Sequence, residues 1–399
     1  MIIVYVADEN YTQYLQQSII SYKKFNPKAH IVVVSETSMP YGDENVVIPL
    51  YKSFRNRGNG DRITNTAYLK LFLTQLPYDK VLYVDADTIC QAPLNELWDI
   101  PCEYINLCES YSFGKLQAEA IGAEKYGLTG MMLMNLKELR KINFTKKCLE
   151  VENTAPTPKT GWQHDETCIN LAMREKLTFI DHKWNYCHNR TYDNPMKESD
   201  APILHFVGKD KHDMLELNFY KDNQEILDAI KGKDVAIVGN AQSIFKTKYG
   251  EEIDKKNFVI RFNKGFPNKP ESQGTKTTMV ILACELSKPD IEFYKAKYLV
   301  NRSKSYLNDV PYSISNKDRR VMSEKIGFQP SSGFMAVDLC LTAGAKSINL
   351  YGFDWEQTPT YYNRQGYVTQ HCYRIEKEII NRYEKAGLLT INKGEENGK

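Results

Sequence analysis

The chain opens on an unbroken apolar run, Ile2 to Val6; Tyr11 to Phe25 then reads as a helix, and Ile31 to Val34 is again apolar at every position. Short runs with no polar face are the pattern of strands buried on both sides, so this opening predicts the start of a nucleotide-binding α/β layer. A helix is expected around Ala67 to Leu76, stopped by Pro77, and the next strand, Lys80 to Val84, runs straight into Asp85-Ala86-Asp87. Leu133 to Asn135 and Phe179-Ile180 read as later strands, Pro202 to Gly208 closes the unit, and Lys209 to Asp213 is a polar break. From Lys233 a second alternation begins: a strand at Val235 to Val238, a turn at Gly239-Asn240, and a strand within Asn257 to Asn263. Ser347 to Tyr351 and a helix over about His371 to Lys385 follow. The expected organisation is therefore two α/β domains, residues 1–220 and 221–399, with no internal repeat and a disordered tail after Asn392.

Composition narrows the partners. The 399 residues, 42% hydrophobic, suffice for two cores of ordinary size. A formal charge of +2, from 52 basic and 50 acidic residues without long single-sign runs, argues against a nucleic-acid partner. Nine cysteines with no Cys-x-x-Cys pair indicate neither a zinc knuckle nor a disulfide framework, which fits reduced thiols in a cytosol. The first residues carry no basic n-region, and no apolar stretch approaches the roughly 20 residues of a membrane helix. The expectation is a cytoplasmic protein, with peripheral contact at the inner face of the membrane left open.

Two carboxylates at the carboxyl end of a central strand stand where open α/β sheets bind their ligands. Asp85 and Asp87 are spaced to offer hard oxygen ligands on one side of a divalent ion, leaving positions for phosphate oxygens. Taken alone, the tripeptide is equally readable as a turn. Its context is Val6-Ala7-Asp8-Glu9-Asn10-Tyr11, Asp79 to Thr88, Gly130 to Leu136 and His205-Phe206-Val207-Gly208-Lys209-Asp210-Lys211. In order and spacing these segments resemble the retaining glycosyltransferases of the glycogenin and lipopolysaccharide galactosyltransferase family, family 8. The resemblance implies a GT-A-like domain in which Asp85, Asp87 and His205 hold Mn²⁺ or Mg²⁺. It further implies that Ala7, Asp8, Asn10 and Tyr11 line a nucleoside pocket of a UDP-sugar, with Ala86 beside the metal ligands and Gly208 and Lys211 approaching the diphosphate. Lys70 stands in the place of the family's usual arginine, and Asp165 and Glu166 match the catalytic segment near the donor sugar, with Glu166 where glutamine is usual. The family's Lys-Pro-Trp ending is absent, since His212 and Asp213 follow Lys211.

In the second half, the strand ending at Gly239-Asn240-Ala241 is followed by Phe258 to Asn263, Pro330-Ser331-Ser332-Gly333-Phe334, Tyr351-Gly352-Phe353 and His371-x4-Glu376. Together these resemble the sialyl motifs of animal-type sialyltransferases, family 29, a Rossmann-like variant of the GT-A fold. The resemblance implies a CMP-linked donor contacted by Gly239, Asn240, Asn263, Ser331, Ser332, Gly333, Tyr351, Tyr361, Tyr362 and Glu376, with His371 as general base and no metal. An inverting displacement needs one base for the acceptor proton, and imidazole titrates near neutral pH. A His and a Glu five apart are also readable as mere surface neighbours. Departures are Val235 where the animal enzymes have cysteine, Thr360 where many relatives have histidine, and a short stretch between Asn263 and Pro330.

The expected function is a bifunctional transferase of bacterial lipooligosaccharide or capsule synthesis. It would move a hexose from a UDP-sugar and a sialic or related acid sugar from a CMP-sugar to an oligosaccharide or glycolipid acceptor. The alternatives are one catalytic domain with the other as scaffold, or a non-catalytic glycan- or nucleotide-binding protein.

Overall fold

The structure, a computed structural model, describes residues 1–50, 54, 64–111, 114–154, 164–193, 196–215, 223–302, 310–355, 358–362 and 371–393. Most of the tail expected to be disordered lies outside them. The chain divides into two compact units, Met1–Glu216 and Leu217–Lys399.

In the first unit the strands are β1 (Ile2–Val6), β2 (His30–Ser35), β3 (Glu44–Val47), β4 (Lys80–Val84), β5 (Thr88–Cys90), β6 (Ile105–Glu109), β7 (Gly127–Asn135), β8 (Leu177–Ile180), β9 (Tyr186–Cys187) and β10 (Ile203–His205). Seven form a sheet in the order β3-β2-β1-β4-β7-β6-β8, and β5, β10 and β9 form a smaller one. β1 pairs in parallel with both β2 and β4, whereas β7 runs antiparallel between β4 and β6. Strand order reverses at β1, so the carboxyl ends of β1 and β4 bound a crevice of the kind that takes ligands. Val4, Val32, Tyr83 and Met132 are among the residues whose burial closes the core beneath it.

The expected helix at Ala67–Leu76 is instead a 3₁₀-type segment over Asn65–Gln75. Thr66, Tyr68, Leu69, Lys70, Leu71 and Leu73 are all buried, so the segment has no polar face of the kind an amphipathic α-helix keeps. Leu76, which precedes Pro77, is extended (φ −67°, ψ 145°), as the pyrrolidine ring demands of the residue before it, and the segment stops there.

The second unit contains β11 (Asp234–Val238), β12 (Phe258–Phe262), β13 (Met279–Leu282), β14 (Tyr298–Asn301), β15 (Tyr312–Ser313), β16 (Ser347–Tyr351) and β17 (Thr390–Asn392). They form one sheet, β15-β14-β13-β12-β11-β16-β17, in which every pairing is parallel. The order reverses between β11 and β16, directly below Gly239. There the backbone of the two strand ends touches: Gly239 N–H donates to Tyr351 O at 2.7 Å, and a Cβ on Gly239 would lie 2.4 Å from Gly352 O. The close approach that Gly239 permits is thus to the neighbouring main chain. The mixed α/β architecture with large parallel sheets agrees with the expected fold class. No helix among the described residues is long and apolar enough to cross a membrane.

Candidate functional site

Asp85-Ala86-Asp87 is the crossing from the large sheet of the first unit to the small one. Asp85 N–H donates to Gly130 O on β7 (2.8 Å), Thr88 Oγ1 donates back to Asp85 O (2.7 Å), and Asp87 O accepts from Phe206 N–H (2.9 Å). Because β10 pairs antiparallel with β5, His205 falls opposite Thr88, and its Nε2 lies 3.2 Å from Asp87 Oδ1 and 3.6 Å from Asp85 Oδ2. One ligand atom from each of the three side chains lies within 4.8 Å of the others.

Two residues not assigned a role from sequence set this geometry. Asn185 Oδ1 is 3.0 Å from His205 Nδ1; accepting a hydrogen bond there fixes a proton on Nδ1 and turns Nε2 toward the carboxylates. Gly130 supplies the space: a Cβ there would lie 2.0 Å from His205 Cε1. A glycine inside a strand pattern is a local signal of close approach, whereas Asn185 carries no signal in its own neighbourhood. Two hard oxygens with an imidazole turned toward them by an outer partner make a donor set that suits a divalent metal ion.

The charges around this trio are balanced by two lysines. Lys211 Nζ is 3.0 Å from Asp87 Oδ2, donates to the Tyr11 hydroxyl at 2.5 Å and lies over the Tyr11 ring. Gly208, at φ +65°, makes the left-handed turn that returns the chain to bring Lys211 there. Lys70 Nζ is 3.1 Å from Asp85 Oδ1 and 2.9 Å from Asp165 Oδ2. Burial disfavours charge on both lysines and on His205, yet the facing carboxylates outweigh it and hold all three pKa values above their ordinary ranges. Burial likewise opposes the charge of Asp87, but His205 and Lys211 keep its carboxyl well below the usual carboxylate range. Glu166, whose Oε2 accepts from Thr129 N–H at 3.1 Å, is pushed up to about 7, chiefly by burial and further by Asp165.

A cleft of about 280 Å³ lies over these groups, and Ala7, Asp8, Tyr11, Lys70, Asp85, Ala86, Asp87, Asp165, Glu166, His205, Gly208 and Lys211 all line it. Asn10 does not; it is exposed, and its backbone N–H donates to Asp8 Oδ1. The other Asp8 oxygen, Oδ2, accepts from Thr64 Oγ1 at 2.7 Å.

The first 211 residues after Met1 match one family throughout, residues 2–212 fitting the model of glycosyl transferase family 8. The chain belongs to glycosyl transferase family 8. A putative glycosyltransferase of Haemophilus influenzae is 26% identical over 211 residues, which cover 47% of this chain and 63% of that protein, so this chain spans less than two thirds of that relative. The lipopolysaccharide 1,3-galactosyltransferase of Salmonella typhimurium is 24% identical over 148 residues, 33% of this chain and 44% of that protein. Among solved structures, the galactosyltransferase LgtC, in complex with donor and acceptor sugar analogues, is 22% identical over 52% of this chain and 88% of its own, with a TM-score of 0.44. Residues 202–305 match a second model, that of glycosyltransferase family 29 (sialyltransferase). The family 8 chain thus also carries a sialyltransferase-like segment.

In the second unit of this family 8 chain, the helix Ser332–Ala343 is capped by Ser331, whose Oγ accepts from Phe334 N–H (3.1 Å). Glu376, from the first turn of the helix Tyr373–Lys385, accepts from Ser331 N–H (2.7 Å) and from Ser331 Oγ (2.6 Å), tying the starts of two helices together. His371 stands just before that helix, with Nδ1 2.8 Å from Gln329 O. A carbonyl can only accept, so Nδ1 carries the hydrogen and the neutral ring has its lone pair on Nε2. Burial pushes the His371 pKa below the usual imidazole range.

The ring of Phe353 lies between Gly239 and Gly333, filling the space a Cβ would take at either (3.1 and 2.7 Å), so the β11 turn and the Ser331-Ser332-Gly333 helix start flank one ring. Asn240 Nδ2 donates to Phe262 O (3.2 Å) and lies 3.3 Å from the Tyr362 hydroxyl, while Tyr361 N–H donates to Asn240 O. Asn263, at φ +52°, is a joint in the main chain: its Oδ1 accepts from Ala283 N–H (2.6 Å) and its carbonyl from Tyr294 OH (2.6 Å). Tyr351 does not join this group; it is fully buried, and its hydroxyl donates to Glu252 Oε1 at 2.6 Å.

Proposed function

We propose that the protein assembles bacterial surface glycans with two sites, residues 1–220 transferring a hexose from a UDP-sugar with retention and residues 221–399 transferring a sialic or related acid sugar from a CMP-sugar with inversion. The observation that carries the first half is the convergence of Asp85, Asp87 and the Asn185-oriented His205 within 4.8 Å on a cleft that Ala7, Asp8 and Tyr11 also line. A divalent cation bound there, Mn²⁺ or Mg²⁺, supplies charge neutralisation for a leaving diphosphate. Lys211, reached over Gly208, adds a fixed positive charge on the same side. Asp165 and Glu166, at the start of the helix His164–Ala172, are the carboxylates in place to act on the donor sugar, and Lys70 holds Asp165 in position.

In the second site His371 is the base. Its Nδ1–H is committed to Gln329 O, which directs proton acceptance to Nε2, and Glu376 serves by fixing Ser331 at the helix start. A CMP leaving group departs as a monophosphate, so this chemistry needs no metal. The similarity of the first unit to lipopolysaccharide galactosyltransferases supports a glycolipid or oligosaccharide acceptor.

The test is nucleotide release from UDP-sugars and CMP-sugars, with and without EDTA. Two activities predict UDP release that the chelator abolishes and CMP release that survives it. UDP release alone leaves the second unit as a scaffold, and release of neither nucleotide sinks the proposal.

A further inference from the structure

β14 ends at Asn301, and Arg302 follows at the carboxyl end of the parallel sheet, its N–H donating to Leu282 O at 2.7 Å. The residue is only 7% exposed, its Nε is shielded from solvent without a partner, and no hydrogen bond or ion pair among the described residues engages the guanidinium. Arg261, also deeply buried in the second unit, differs in degree: its Nη1 lacks a partner too, but its Nε and Nη2 donate to Thr277 Oγ1 and to the carbonyls of Gln273 and Lys276, so most of that guanidinium is spent within the fold. A guanidinium cannot shed its charge, so burying one without partners costs stability that a structural role does not return.

The surroundings say what could use it. Burial raises the Glu376 pKa and lowers that of His371, and both groups also feel the positive charge of Arg302. Glu376 accepts from Ser331 through both carboxylate oxygens and forms no ion pair with Arg302 among the described residues. Arg302 thus sets a fixed positive charge at the carboxyl end of β14, the side of an open parallel sheet on which ligands bind. An acid sugar differs from a hexose by a carboxylate on its reacting carbon, so a site for it needs a cation close to the base.

We propose that Arg302 is the anion-reading residue of the second site, its guanidinium fork taking an oxyanion of a CMP-linked acid sugar, the carboxylate in the first instance. This rests on the reading of the second unit as a CMP-sugar transferase, and the experiment separates the two. Isothermal titration of the full chain uses three probes: cytidine with no anion, CMP with a phosphate, and CMP-N-acetylneuraminic acid with phosphate and carboxylate. Arg302→Met is expected to weaken CMP-N-acetylneuraminic acid about 10- to 100-fold, with Arg302→Lys in between because it keeps the charge and loses the fork. CMP affinity unchanged in Arg302→Met assigns the carboxylate; an equal loss for CMP assigns the phosphate. The proposal is overturned if the full-length variants keep wild-type affinity for both nucleotides. It is equally overturned if cytidine weakens in parallel, the mark of a structural role; the Lys variant makes the same test should Met fail to fold. Wild-type protein that binds neither CMP compound refutes the reading of the unit itself.

Discussion

At the scale of single residues, the first site depends on a hydrogen atom where any other residue would put a carbon. Gly130→Ala places a methyl 2.0 Å from His205 Cε1, so the ring must move and lose its fixed relation to Asp85 and Asp87. The expected outcome is a fall of about 10- to 100-fold in Mn²⁺ affinity, read by titration calorimetry, with an unchanged circular dichroism spectrum. Lys70 answers to a different test. It joins two carboxylates, and Lys70→Met would leave the buried Asp165 without its cation, so a loss of about 3 to 5 kcal/mol is expected in urea unfolding. Legibility at this scale followed chemistry. The acidic pair is marked by type and spacing, and His205 and Lys211 are implied by the family resemblance, whereas Asn185 acts across the fold through one bond to a ring nitrogen and is an ordinary polar residue in its own segment.

Among elements, the strands that frame both crevices were readable because they are buried on both faces: β1, β4 and β11 show one apolar residue after another. The segment Asn65–Gln75 was readable as a helix but not as a 3₁₀ one, since burial around its whole circumference erases the periodicity that separates the two. The length of β7 also escaped, because its glycines and threonine resemble a turn until the antiparallel partners β4 and β6 are in place. The helix at Tyr373–Lys385 begins two residues after His371, and this leaves the imidazole on a bend where Gln329 can hold it. Burial there makes the ring give up its proton more readily than the free side chain. The neutral, base-competent form therefore persists to lower pH, and the acid limb of CMP transfer should have its midpoint below the ordinary imidazole value of about 6.5. A kcat/KM profile against pH checks this; a midpoint above that value would remove His371 from the role of base.

For the whole molecule, the proposal amounts to two chemistries that share a chain and no reacting group. Asp87→Ala is expected to abolish UDP release and leave CMP release within about twofold, and His371→Ala to do the reverse, since Asp87 meets His205 and Lys211 in the first unit and His371 meets Gln329 in the second. Either variant silencing both reactions while retaining its thermal midpoint would mean the sites are not independent.

The contact between Gly239 and Gly352 bears on how such a protein can be altered. Where strands meet through bare main chain there is no rotamer to adjust, so their spacing is fixed by atomic radii and does not drift as the surrounding helices exchange side chains. A redesign that seeks a roomier mouth at this crevice has nothing to trim there. It must work from the connecting loops, whose length can change while the two backbones stay locked.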